Sequence, residues 1–242
     1  MRLWIDTDVG DNPDDAVALL AAIAHPSVEL VGVSTTGGRT EWRVDIARQL
    51  VDVMVVPGEH PDELTSALTA AQPDALLAIG PLTNVASLVM LRADLAAMTV
   101  MGGALEPVRH RGRLRRVESN FGRDPAAAAV VIGNLDVTLV PLDVTVAMPL
   151  EPVVLERLLA SQPQLVPEVE RWVIEQDQPV VLHDPLAFLV AIGEAIAAIE
   201  ERRLLADAHD GALRESPTGR EQQVVVRADT SAAIDRIMEL LA

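Results

Sequence analysis

The chain has no cysteine among its 242 residues, which removes disulfides, thiol nucleophiles and thiolate metal sites together. It has no tyrosine, two phenylalanines and three tryptophans, so platforms for stacking nucleic-acid bases are scarce. Positive charge is short as well. Lys and Arg number 19 against 36 Asp and Glu, and the formal charge of −17 repels polyphosphate outside a local basic patch. The longest apolar run, residues 16–24, is about half of what a membrane span needs. The first residues, "MRLWIDTDVG", enter an acidic segment at once and leave no room for the apolar region of a signal peptide. The expectation is a soluble, cytoplasmic protein that binds neither nucleic acid nor membrane.

Half of the residues are hydrophobic, enough for a sizeable core. Short β-branched runs at 3–5, 30–34, 53–56, 75–79, 99–101, 137–140 and 224–226 alternate with helical patterns. Helices are expected in stretches such as 14–24, 41–51, 84–91, 125–132, 167–176 and 186–199, with the last at about 231–241. Strands that are continuously apolar belong to sheets covered on both faces. The predicted class is therefore α/β: a Rossmann-like, mostly parallel sheet with helices on both faces. No repeat or Pro/Ser-rich linker divides the chain, so residues 1–242 read as one domain. In such folds the chemistry lies beyond the carboxyl ends of the strands. Polar clusters fall there at 6–15, "TTGGR" (35–39), "GPLTN" (80–84) and "GG" (102–103).

The first cluster holds five aspartates, Asp6, Asp8, Asp11, Asp14 and Asp15. Asn12 suits a helix N-cap, with Pro13 at the first helical position and Asp14 and Asp15 in the first turn. The helix dipole would repay those two by roughly 0.3–1 kcal/mol each. Two carboxylates about 4 Å apart repel by about 4 kcal/mol at an effective dielectric near 20, which swamps that term. Either some of these acids are protonated or a cation sits among them. Oxygen ligands in this number favour Ca²⁺ or Mg²⁺ over zinc, and a flexible set of carboxylates favours Ca²⁺. A second cluster, His183–Asp184–Pro185, stands at the start of the expected helix 186–199, where a histidine beside a metal-binding aspartate suits a proton donor.

Seven motifs in order, "DTDVG…DDAVAL" (6–19), "GVSTTGG" (32–38), "LLAIGPLTNVA" (76–86), "VMGGA" (100–104), "ESNFGRDPAAA" (118–128), "VPLDVT" (140–145) and "HDPLA" (183–187), resemble the inosine-uridine preferring nucleoside hydrolase family. The resemblance implies one Ca²⁺ held by Asp8, Asp15, Asp184 and the Ile79 carbonyl. It implies that Asp8 takes a proton from the calcium-bound water and that Asp14, Glu118 and Asn120 grip ribose hydroxyls. Met101 would lie beside the sugar, Asp6 would stand behind the ligands, and His183 would protonate or orient the departing base. The implied substrate is a ribonucleoside or related ribosyl compound in base salvage, and the implied assembly is a homodimer or homotetramer.

The chain also departs from the family's pattern. It is shorter, and the loop between Gly10 and the Asp14–Asp15 pair is two residues longer. Arg39 stands where an asparagine is usual, near the reactive water, which sets a permanent cation against the metal's carboxylates. "RHRGRLRR" (109–116) falls where another asparagine is usual. It reads either as a solvated loop or, joined to Arg39, as an anion pocket for a 5′-phosphorylated nucleoside. Two other functions fit fewer motifs. One is a Mg²⁺-dependent phosphatase with Asp6 as nucleophile, and the other is a relative that binds a ribosyl ligand without turnover.

Overall fold

The computed structural model describes residues 1–110 and 112–242; Arg111, within the Arg-rich stretch, lies outside the described residues. The strands are β1 (Arg2–Thr7), β2 (Glu29–Thr35), β3 (Val55–Pro57), β4 (Ala75–Ala78), β5 (Ala97–Met101), β6 (Val108–His110), β7 (Arg113–Arg115), β8 (Val137–Val140), β9 (Ala197–Ala206), β10 (Leu213–Glu215) and β11 (Arg220–Ala228). The helices are α1 (Pro13–Ala24), α2 (Thr40–Leu50), α3 (Pro61–Ala71), α4 (Thr83–Met90), α5 (Ser119–Arg123), α6 (Pro125–Asn134), α7 (Leu142–Thr145), α8 (Pro152–Ser161), α9 (Val166–Gln176), α10 (His183–Ala191) and α11 (Thr230–Leu240). None of the described helices is long and apolar enough to cross a membrane.

Nine strands form one sheet in the order β10-β9-β11-β8-β5-β4-β1-β2-β3. The run from β11 to β3 is parallel, and β9 and β10 add an antiparallel edge. From β1 the chain moves outward through β2 and β3, then returns to place β4 on the other side of β1. The loops after β1 and β4 therefore diverge and leave a crevice between them, the usual ligand position in an open α/β sheet.

Alternation along β1 feeds two apolar layers. Leu3 and Ile5 pack with α1, α2, α10 and α11 on one face. Trp4 packs with α3, α4 and α6 on the other. Trp4 lies opposite Gly32 of β2 and covers it. Its Nε1 donates to Ser34 Oγ at 3.0 Å, and that hydroxyl donates to Asp6 Oδ1 at 2.5 Å. The core is thus wired to the first acid of the crevice.

The expected central strands are all present, with shifted ends. Three segments differ from the sequence reading. The helix expected over 186–199 starts at His183 and stops at Ala191, two residues before Gly193, whose φ of +80° breaks it. The chain then enters β9, whose Ala- and Glu-rich residues favour a helix locally but pair with β11 along a half-exposed edge. The Arg-rich stretch is not an open loop: β6 and β7 pair as an antiparallel ribbon. The turn from β9 to β10 reaches back to the middle of the chain. A Cβ at Gly211 would lie 2.4 Å from the Phe121 carbonyl oxygen, and one at Gly103 would lie 2.8 Å from Leu213.

A Cβ at Gly32 would lie 2.2 Å from the Trp4 ring. Gly32→Ala should therefore cost about 1–3 kcal/mol through overpacking. Gly133→Ala, at a helical site with nothing within 4 Å, should be neutral or better. Urea denaturation of both variants checks the contrast.

Candidate active site

A cavity of about 140 Å³ opens at the carboxyl ends of β1, β4 and β5. Nine residues singled out from the sequence line it: Asp8, Asp14, Asp15, Ile79, Met101, Glu118, Asn120, His183 and Asp184. Asp6 is buried behind this wall, where Oδ1 accepts from Ser34 and, at 2.7 Å, from Asn84 Nδ2. A nucleophile is badly placed there, which removes the ground for an Asp6 phosphatase.

Two helix N-termini supply the floor. Asp14 and Asp15 occupy the first turn of α1, and Asp184 the first turn of α10. Asp14 Oδ2 accepts from the backbone N–H groups of His183 (3.1 Å) and Asp184 (3.3 Å), so it caps α10 from a neighbouring helix. Its Oδ1 is buried with no hydrogen-bond partner. Asp15 Oδ1 accepts from Thr7 Oγ1 at 2.5 Å. One carboxylate oxygen each from Asp14, Asp15 and Asp184 lie within 4.8 Å of one another. Asn12 occupies the N-cap position of α1 with extended backbone, but its side chain makes no capping bond.

The opposite wall is the start of α5. Glu118 accepts from the N–H groups of Asn120 (2.8 Å), Phe121 (3.1 Å) and Gly103 (3.1 Å), so its carboxylate caps the helix and binds the end of β5 to it. Asn120 Nδ2 donates to the carbonyls of Ile79 (3.1 Å) and Met101 (3.2 Å), tying together the ends of β4 and β5. On the remaining side, His183 Nδ1 lies 2.7 Å from Thr145 Oγ1, which orients the ring.

Arg39 lies outside the cavity. Its guanidinium donates to Asp11 Oδ1 at 2.8 Å and stacks over Trp42 at 4.3 Å, and its side chain is 64% exposed. The expected clash between Arg39 and the metal's carboxylates is therefore absent, and so is its union with the Arg-rich ribbon, of which Arg115 lines the cavity. Two arginines not singled out from the sequence take the central positions. Buried Arg43 donates to the carbonyls of Gly37, Gly38, Asp8 and Val9 and to Asp11 Oδ2 (2.9 Å), holding the acidic loop against the 37–38 turn. Arg123 Nη1 bridges Asp8 Oδ2 (2.5 Å) and Asp11 Oδ2 (3.1 Å). Arg123 is the single cation inside the "ESNFGRDP" motif, which was its one visible signal.

Residues 48–236 match the family described as inosine-uridine preferring nucleoside hydrolase. The chain belongs to this family. As a nucleoside hydrolase it acts on N-glycosyl compounds. It is 29% identical over 210 residues, 66% of this chain and 67% of the relative, to the non-specific ribonucleoside hydrolase RihC of Salmonella paratyphi B. An inosine-guanosine nucleoside hydrolase structure superposes with a TM-score of 0.81 at 20% identity, covering 99% of this chain and 98% of that one. The inosine-uridine preferring nucleoside hydrolase from Bacillus anthracis gives 0.78 at 19% identity, with the same coverage. These likenesses establish the fold. The acidic loop precedes the matched span.

Burial governs the protonation of the site. It pushes the carboxyl groups of Asp6, Asp14 and Glu118 up to about 7 and holds Asp15 and Asp184 well above the usual carboxylate range. Asp8 is raised to about 6 by burial, against the pull of Arg123 and Arg43. Asp11, less buried and facing three guanidiniums, is held below its ordinary value. The donor set fits a hard divalent cation: it is all oxygen, buried, and includes an unpartnered carboxylate oxygen.

These raised carboxyl groups fix the sign of the pH dependence. Between about 4 and 7 the unfolded chain releases protons that folded Asp6 and Asp14 still bind, so stability falls as pH rises through that window. Calorimetry of metal-free protein should show Tm decreasing from pH 5 to pH 7.5, with most of the loss recovered by a divalent cation.

Proposed function

We propose that the chain hydrolyses the N-glycosidic bond of ribonucleosides, releasing ribose and free base, with a Ca²⁺ held by Asp8, Asp15, Asp184 and the Ile79 carbonyl. The observation that carries this reading is the convergence of Asp14, Asp15 and Asp184 in a buried cavity at the sheet's switch point. When bound, the ion supplies charge that acidifies a water and grips vicinal hydroxyls.

The chain's own residues account for the rest. Asp8, ionised at neutral pH, takes the proton from the attacking water. Asp14, Glu118 and Asn120 face the sugar from two walls and receive its hydroxyls. Met101 packs beside the ring. As the bond to the base breaks, positive charge grows on the sugar, and the ring of carboxylates stabilises it. His183, oriented through Nδ1 by Thr145, delivers a proton from Nε2 to the departing base. A single displacement by water inverts the anomeric carbon. A role in cytoplasmic base salvage, as a homodimer or homotetramer, belongs to the same reading.

A nucleoside 5′-monophosphate is the second reading, favoured by Arg115 and Arg123 in the cavity lining. Equal turnover of nucleosides and their monophosphates would remove it.

Asp8→Asn should lower kcat by about 10²–10⁴-fold with little change in the unfolding midpoint, because proton transfer is lost and the carboxamide keeps the shape. Ribose release from inosine and uridine, assayed with the metal-stripped and calcium-loaded protein, checks this. Wild-type rates from Asp8→Asn, or no release from any nucleoside or monophosphate, would refute the assignment.

A further inference from the structure

Three arginines converge on one carboxylate, that of Asp11, and they are not equivalent. Arg43 is buried and fully committed to the loop backbone. Arg39 lies flat on Trp42 and never touches the cavity. Arg123 alone lines the cavity, has a side chain 41% exposed, and contacts Asp8. Its Nη1 lies between Asp8 Oδ2 and Asp11 Oδ2. Asp8 itself falls outside that trio.

We propose that Arg123 is the resident counter-ion of Asp8, that a divalent cation must displace it to recruit Asp8 as a ligand, and that Asp11 holds the guanidinium once displaced. The proposal rests on the reading of Asp8 as a cation ligand. A dication carries twice the charge of a guanidinium at a much smaller radius, so it wins the buried carboxylate. It does so at the cost of an ion pair whose acidic partner is nine-tenths buried. Asp11 lowers that cost, because Arg123 moves from two carboxylates to one and is not cast into solvent. The pairing sets the calcium concentration at which the site fills.

The test is calcium binding by isothermal titration calorimetry on stripped full-length protein, without substrate. Arg123→Gln should bind calcium at least tenfold more tightly than wild type. Arg123→Lys, a shorter point charge that cannot span both carboxylates, should gain less, and it serves if the Gln variant fails to fold. Arg39→Gln removes the same charge from Asp11 without touching Asp8 and should stay within threefold of wild type. Unchanged or weaker binding by both Arg123 variants, or an equal gain from Arg39→Gln, overturns the competition. Asp184→Asn separates the layers. If wild type binds calcium and Asp184→Asn does not, a null result at Arg123 sinks the counter-ion alone. If neither wild type nor the Arg123 variants bind, the cation reading fails and takes this one with it.

Discussion

The structure depends on the mutual repulsion of carboxylates gathered where β1 ends. Asp8, Asp14, Asp15, Glu118 and Asp184 share one cavity, and water has been removed from nearly all of them. No folded chain tolerates that arrangement without positive charge nearby. The fold provides it in graded form: the N-terminal ends of α1 and α10, backbone N–H groups on Glu118 and Asp14, and three guanidiniums on the acidic loop. Protons supply the remainder when the site lacks a metal. The parallel sheet makes the gathering possible, since strands running the same way deliver their loops to one edge.

Much of this was legible because the central strands carry an unambiguous signal. β1, β4, β5 and β8 are short, mostly apolar and covered on both faces, and the acidic loop stands directly after the first of them. The edge was less legible. In β9 the charged residues outnumber those that are covered, and its alanines suit a helix, so only pairing with β11 decides its state. The site shows the same division. Residues that sit inside a motif, such as Asp15 or His183, were singled out through the resemblance those motifs carry, and they line the cavity. Arg43 and Arg123 reach the acidic loop across 32 and 112 or more positions of sequence, and nothing in their own neighbourhoods announces those partners.

Arg39 and the acidic loop form one feature, because the loop contributes Asp11 and Asp11 is what Arg39 binds. An isolated arginine near a cation site is a threat to it, whereas an arginine with its own carboxylate is spoken for. The chain has no lysine, and every cation in this cluster is a guanidinium. That choice suits the task, because a planar fork with five donors serves two carboxylates or several carbonyls at once, as Arg123 and Arg43 do.

The turn between β9 and β10 carries a consequence for how the chain divides. Gly211 lies against the Phe121 backbone and Leu213 against Gly103, so a hairpin from the last fifth of the chain buttresses the wall bearing Glu118 and Asn120. Every motif residue lies before position 190, yet no cut after the last of them would leave a self-sufficient catalytic fragment. Chemistry concentrated in the amino-terminal four fifths borrows its rigidity from the carboxyl-terminal fifth, and the two parts are constrained to evolve together.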